Sequence, residues 1–496
     1  MATLPASIDP RTPVVVGVGQ FLNRDDSLGL DPLTLAIEAV RRAARDCGVD
    51  SLPGRVDAIA VVPIVSWRYG DPGRRLAAEL GAGPALTMYP HVGGNTPQML
   101  LNRLAERIGV GQLDRALLCG AEAYRTRMRA KRNGVTLTWP HEDLALQPTW
   151  TEPGEFAMGH PDELALGIMM PTQCYPLFEN ALAHEAGRTA SEQQLRCGEL
   201  WEGYARVAST NPFAWDRTPY TAVEIADVTA ENRIVGFPYT KHMVSNPDVD
   251  MASAAIIMSA RAAADDGIDP DRWVFVHAGA DAADPQLSER PSFTTSAAIR
   301  RAGTAAIDAA GIGVDDIAHI DVYSCFPSAV QIACRELGVG TNRTLTTYGG
   351  LCFAGGPWNN PVGHAIASMI DVLRDDPGTF GLITANGGNL QKHSFGVYST
   401  SPPKAPFTAP RPQSAVDAEA WVDTDPNYAG PATIEAWTVM HERDGSIGRA
   451  HAVLRAPSGR RRWAVSIDPT VGAALEESDR IGTTATVEAD STLQLG

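Results

Sequence analysis

The chain reads as an α/β protein built from two copies of one unit, with a long insertion between them and a small all-β domain at the C-terminal end. Three observations predict this. Apolar, β-branched runs alternate with amphipathic helical stretches, the pattern of crossover connections and a covered, mostly parallel sheet. The same order of elements recurs about 250–280 residues later, a period too long for a solenoid and suited to duplication of a whole unit. A proline-rich stretch after Ser401 then separates a segment of short strands and turns.

In order, Val14 to Val18 is the first strand, and Asp31 with Pro32 supplies a helix N-cap and first position. Ile37, Val40 and Ala44 keep the apolar stripe of that helix and Gly48 ends it. Ala58 to Val62 is the next strand, Thr96 to Ile108 a helix and Ala116 to Cys119 a strand. The insertion, residues 124–247, is rich in Trp, Pro and His and breaks the alternation, as functional excursions and lids do. After it, Trp273 to His277 repeats the first strand, Thr295 to Ala310 the first helix, and Gly311 stands where Gly48 stood. GVDSLPGRVDAIAVV from Gly48 and GIGVDDIAHIDVY from Gly311 show the likeness best. Phe326 to Leu337 and His364 to Leu373 follow as helices, and Leu382 to Ala385 as a strand.

The expected division is therefore 1–123 with 248–271 as the N-terminal half, 124–247 as the insertion and 272–400 as the C-terminal half. Residues 401–414 form a linker and 415–496 an additional all-β, barrel-like domain. In that last part Asp444-Gly445 and Ser458-Gly459 mark turns between three strands, and RIGTTATVEA reads as another strand.

The balance of 41 basic against 58 acidic residues, net −17, argues against a nucleic-acid partner. Any anionic ligand needs a local basic patch. Seven scattered cysteines without a C-x-x-C pair, and a polar start from Met1 to Pro10, argue for a reducing cytoplasmic setting. The longest stretch free of charged residues, Thr344 to Ile370, is broken by glycines and prolines and does not read as a membrane span. No metal constellation stands out among the histidines.

TPVVVGVGQ at Thr12, LDRALLCGAEA at Leu113, VDMASAAIIM at Val249, DVYSCF at Asp321, GGLCFAGGP at Gly349 and NGGNLQKHSFGVYS at Asn386 occur in order on the two halves. Through them residues 12–400 resemble the thiolase superfamily, in its sterol-carrier-type, thiolase-like branch. The nearest resemblance is to the bacterial thiolase-like protein type 1 group, sometimes labelled acetyl-CoA acetyltransferase. It implies a duplicated five-layer αβαβα core of two five-stranded sheets and a loop domain that covers coenzyme A. CoA or an acyl-CoA thioester is then the ligand, with no covalently bound cofactor.

The resemblance also implies an acylated cysteine, an acid/base cysteine and two oxyanion motifs. The nucleophile position falls on Gly94 or Asn95, within VGGNTPQML. The acid/base cysteine falls on Ala385, two residues before Gly387 in TANGG, and the Gly-His-Pro motif reads Gly355-Gly356-Pro357. The remaining motif reads Tyr323-Ser324-Cys325-Phe326. Standard thiolysis or Claisen condensation is not expected from this set. Substitutes are Cys325 and Cys352 as reactive thiols, or else inert packing. His364 and His393 either touch substrate or are structural, and Tyr323 is an oxyanion donor, or a base if its pKa is lowered. Arg125, Arg127, Arg129, Lys131 and Arg132 either meet CoA phosphates or form a solvated helix face.

Three functions stay open. The first is a CoA-thioester binder without thiolase catalysis. The second is an acyltransferase or retro-aldolase with relocated residues, since thiolase-like aldolases also lack the cysteines and work with small β-barrel partners. The third is a scaffold that binds a protein through its C-terminal domain. Self-association is open too.

Overall fold

The computed structural model describes residues 4–27, 29–83, 86–153 and 157–496. Residues 1–3, which open the expected N-terminal half and its polar start, lie outside them. The N-terminal half comprises β1 (Pro13–Leu22), α1 (Pro32–Asp46), β2 (Ala58–Val61), α2 (Pro72–Leu80), β3 (Leu86–Met88), α3 (Thr96–Gly109) and β4 (Arg115–Ala123). The insertion holds α4 (Tyr124–Arg132), α5 (Pro161–Ala165), α6 (Pro171–Glu185), α7 (Ala190–Thr210), α8 (Ala222–Ala226), β5 (Ile234–Gly236) and β6 (Tyr239–Thr240). The chain then returns through β7 (Asp250–Ser259) and α9 (Ala260–Asp265). The second half is β8 (Val274–Ala283), α10 (Ala297–Ala310), β9 (Ile317–Asp321), α11 (Pro327–Leu337), α12 (Pro361–Asp375), β10 (Phe380–Gly387) and β11 (Lys392–Ser399). Last come α13 (Gln413–Asp417), β12 (Gly430–His441), β13 (Ile447–Arg455), β14 (Arg461–Ser466), α14 (Pro469–Glu477), β15 (Thr484–Val487) and β16 (Leu493–Leu495).

Asp31 caps α1 through the Leu33 and Thr34 amides, and Gly48 and Gly311 take the left-handed conformation that ends α1 and α10. The duplication shows in the strand order, β3-β2-β4-β7-β1 meeting β8-β11-β10-β9 as its mirror. In both halves a 3₁₀ turn, Leu52–Arg55 or Val314–Asp316, leads into the second strand. The expected mostly parallel sheet is corrected to a mixed one. Only β3, β2 and β4, and β9 with β10, run parallel. The rest pair antiparallel, because β10 returns into β11 by a hairpin and β7 comes back from the insertion. The two five-stranded sheets are also corrected: Val14 and Val15 pair with Phe275 and Val274, joining five strands to four in one sheet of nine.

Along β1, Val15 and Val18 face one core cluster while Val14 and Val16 face the other, so both faces are covered. Helices α3 and α12 form the central layer, each packed on strands of both halves, with α1 and α10 outside. The C-terminal strands run β14-β13-β12-β15-β16, and a bridge from Val465 to Thr492 closes them into a barrel-like domain around Ile434, Val439, Leu454 and Val487. The proline-rich stretch lies along β8, its Thr408 carbonyl accepting from the Gly279 amide at 3.0 Å.

Both edges of the large sheet are occupied. Trp150 donates to the Thr87 carbonyl at 2.9 Å beside β3, and Arg343 donates to the Ile317 and Ala318 carbonyls of β9 at 2.7 and 2.6 Å. Covered edges leave no ladder for a second copy to extend. The protein is therefore expected to sediment as a monomer, and a stable dimer at micromolar concentration would contradict this reading of the edges.

Candidate functional site

The N-terminus of α3, the β10–β11 hairpin and the segments 323–325 and 358–359 converge under the start of α6. Between them lies a cavity of about 280 Å³ with a mainly apolar lining. Gly93, Gly94, Tyr323, Cys325, Asn386 and Gly387 form its floor, while Met158, Met170 and Pro171 roof it from the insertion. Tyr175, one turn into α6, ties roof to floor. Its hydroxyl accepts from the Leu390 amide (3.0 Å) and the Asn386 side chain (2.8 Å), and donates to the Gly388 carbonyl (3.3 Å).

Gly94 occupies the expected nucleophile position, and there is no room for a side chain on it. A β-carbon there would collide with the Tyr323 hydroxyl and the Asn386 carbonyl. The tyrosine thus fills the space that a thiol would use. Asn95 is buried behind it at the head of α3, and its side-chain oxygen, like that of Asn386, has no hydrogen-bond donor among the described residues. Of the two readings of Cys325 and Cys352, burial favours inert packing over reactive thiols: it pushes Cys325 up to about 12 and raises Cys352 as well. Cys352 lies away from the cavity and accepts the Trp201 indole N–H at 2.9 Å. Burial likewise holds the Tyr323 phenol well above its ordinary value, so it can donate a hydrogen bond but cannot serve as the expected base.

The remaining expected residues scatter. Phe326 stacks on Tyr175 with centroids 4.5 Å apart, which braces the wall. Gly356 and Pro357 do not line the cavity; a side chain at Gly356 would strike Ser245, and Trp358 and Asn359 line it instead. Ala385 sits below, beside His393, at a closed space of about 10 Å³ too small for a ligand. His393 is buried near Asp284 and the Leu390 carbonyl, and desolvation pushes it down to about 4. His364 lies on α12 against Gln20 (2.8 Å) and is pushed down to about 3 by burial, a neutral structural group outside the cavity. The residues of the basic cluster have different partners. Arg125 and Arg129 pair with Asp26, Arg127 reaches the Val65 carbonyl at 3.0 Å, and Lys131 and Arg132 are exposed at the end of α4.

Sequence reasoning missed Tyr175, Met158 and Met170, which lie in the aperiodic insertion, and Val65 in a short loop. It also missed Glu122, buried at the end of β4, whose carboxylate accepts the Val65 and Ser66 amides at 2.7 and 2.8 Å and so holds one wall of the cavity. Desolvation pushes Glu122 up to about 7. Among the described residues no three His, Cys, Asp or Glu side chains gather as a metal site, and no helix is long and apolar enough to cross a membrane.

Residues 412–492 match the family described as thiolase-like protein type 1 additional C-terminal domain. The whole chain is similar to the crystal structure of a monomeric SCP2-thiolase like protein type 1 from Mycobacterium smegmatis. Identity is 31%, the match covers 98% of this chain and 99% of that one, and the TM-score is 0.83. Two more distant structures share the fold. The Ltp2-ChsH2(DUF35) aldolase is 19% identical, covering 79% of this chain and 98% of that one at TM-score 0.60. An acetyl-CoA acetyltransferase from Syntrophomonas wolfei is 17% identical, covering 79% and 99% at TM-score 0.55. No curated protein matches.

Gly94→Cys, which would reinstate a thiol in the expected place, should lower stability by about 1–3 kcal/mol through overpacking and form no acyl-enzyme. Denaturant titration and intact-mass measurement after incubation with acetyl-CoA check both parts. For Glu122 the folded value of about 7 lies above the ordinary value of 4.5, so the folded state holds more protons between those pH values. Its stabilising contribution is full below pH 4.5 and is lost as pH rises through 7, with a slope up to about 1.4 kcal/mol per unit. Glu122→Gln should flatten that part of the stability–pH curve, and an unchanged slope would contradict the assignment.

Proposed function

The chain belongs to the SCP2-thiolase-like protein type 1 family, and on that premise we propose that it binds CoA thioesters without turning them over by thiolase chemistry. One observation carries the reading: among the described residues lining the cavity there is no Asp, Glu, His, Lys or Arg, and its thiol and phenols are held protonated by burial. An acyl-enzyme needs a thiolate, and α-carbon chemistry needs a base near neutral pH. Retro-aldol cleavage needs a base for the β-hydroxyl, and the lining offers none among the described residues.

Binding, by contrast, is well served. An apolar cavity of about 280 Å³ suits an acyl chain or the pantetheine arm. The Asn386 side-chain oxygen, a buried acceptor without a donor, suits an amide N–H of that arm. Tyr323 can offer its hydroxyl hydrogen to a thioester carbonyl.

Calorimetric titration with acetyl-CoA and longer acyl-CoAs should show saturable binding, while acetoacetyl-CoA with free CoA shows no thiolysis above the buffer rate. Robust thiolysis, or no heat with any of the esters, would overturn the proposal.

A further inference from the structure

A second cavity, of about 440 Å³, adjoins the first, and Val65 lines both. Its walls carry Arg68, Arg127, Trp67, His141 and Glu142. Among the described residues Arg68 has no ion-pair or hydrogen-bond partner. Arg127 forms no ion pair among them; its one hydrogen bond goes to the Val65 carbonyl, and its charge also acts on the buried Glu122. In a chain of net charge −17 this is unusual. The neighbouring Arg125 and Arg129 on α4 both pair with Asp26.

Glu142 is the one carboxylate among the described residues lining the cavity, and its charge is engaged by the Gly70 and Asp71 amides at 2.7 and 3.0 Å. Arg68 without a partner, and Arg127 bonded to a carbonyl, stand against two carboxylates, Glu142 and the buried Glu122, that are each held by backbone amides, which favours an anion. Forked N–H donors fit phosphate oxygens best. The aromatic wall is braced: Trp67 donates its indole N–H to the Pro140 carbonyl at 3.0 Å, meets Trp139 edge-on at 5.2 Å and lies 5.1 Å from His141. Such a wall accepts a purine by stacking. A third cavity, on the other side of α4, fits less well. There Asp216 and Asp248 offset Arg125 and Lys241, and it shares no lining residue with the acyl cavity.

We propose that Arg68 and Arg127, with the Trp67–His141 wall, seat the phosphate-bearing adenosine headgroup of the ligand whose acyl end occupies the first cavity. The assignment rests on the CoA-thioester reading above and replaces the five-residue basic cluster with two arginines, Arg68 from a loop and Arg127 from α4.

The test is calorimetric titration of the full chain with an acyl-CoA and with the matching acyl-pantetheine, using wild type, Arg68→Ala, Arg127→Ala, Arg68→Glu and the double alanine variant. Arg68 is exposed and makes no hydrogen bond or ion pair among the described residues, so its substitution should leave the structure intact. Acyl-CoA affinity should fall roughly tenfold per arginine removed, more for Arg68→Glu, and should weaken with added salt. Acyl-pantetheine affinity should not change. Adenosine 3′,5′-bisphosphate should compete with acyl-CoA, and inorganic phosphate should not at equal concentration. Equal acyl-CoA binding by wild type and all variants would overturn the headgroup assignment while leaving the thioester reading in place. If wild type binds neither ester, the thioester reading itself fails, and the headgroup assignment with it.

Discussion

The two halves are locked together by the polar side chains that each central helix sends into the other half's strands. From α3, Asn102 donates to the Phe395 carbonyl of β11 at 3.1 Å, and Gln98 accepts from Tyr398 at 2.8 Å. From α12, Asn360 donates to the Gly120 carbonyl of β4 at 2.9 Å, and His364 meets Gln20 of β1 at 2.8 Å. These groups are buried, and each would cost about 1–3 kcal/mol if left unpaired, so the pairing permits little freedom. Space for them comes from glycine. A side chain at Gly279 would strike Asn102, one at Gly396 would strike Gln98, and one at Gly120 would strike Asn360. The crossing fixes where the heads of α3 and α12 meet, and the cavity lies at that meeting point.

From that constraint follows the chemistry. At the head of α3 the Asn359 side chain accepts the Gly93 amide at 2.9 Å, which binds the two helix starts to each other. With the backbone so placed, Gly94 and Tyr323 compete for one volume, and the tyrosine holds it. A side chain at position 94 and the Tyr323 phenol are therefore alternatives for one space. Burial then favours the neutral form of these groups: the phenols, Cys325 and Glu122 rise, and His364, His393 and Lys392 fall. Among the described residues that line it, the site has no Asp, Glu, His, Lys or Arg, but it has donors and acceptors that can orient a substrate.

Local signals were legible where local physics decides the structure. Gly48, Gly311, Gly445 and Gly459 do sit at positive φ, and the paired stretches after Gly48 and Gly311 do form the same 3₁₀-then-strand unit. Strand direction was not legible, because an apolar run reads the same whether its neighbour is parallel or antiparallel. His364 shows a second limit. It stands in the right neighbourhood of sequence, yet the pitch of α12 turns it toward Gln20 rather than the cavity. The arginines of α4 show a third, since Asp26, which lies far off in sequence, decides which of them are free. Tyr175 lies in an insertion with no periodicity to read, so its role in roofing the site emerges only from the assembled fold.

The C-terminal barrel is as much a wall of the core as an added domain. Its buried Arg461 donates to the Ser288 and Arg290 carbonyls at 2.9 and 2.7 Å and is balanced by Glu435 at 2.8 Å. Trp463 donates to Ser288, whose own hydroxyl reaches Glu163 in the insertion at 2.7 Å. Arg290, buried and paired with Asp284 at 3.1 Å, then donates to the Leu390 carbonyl at 2.6 Å, and the Leu390 amide donates to Tyr175. Each link is a charged or polar group removed from water, and breaking one such buried ion pair costs about 3–5 kcal/mol. An unbroken series of bonds thus runs from the barrel to the hairpin that forms the cavity floor. A domain that merely hung from the core would need none of them, so the barrel's first structural role is to hold the 386–391 hairpin and the roof helix α6 at a fixed separation.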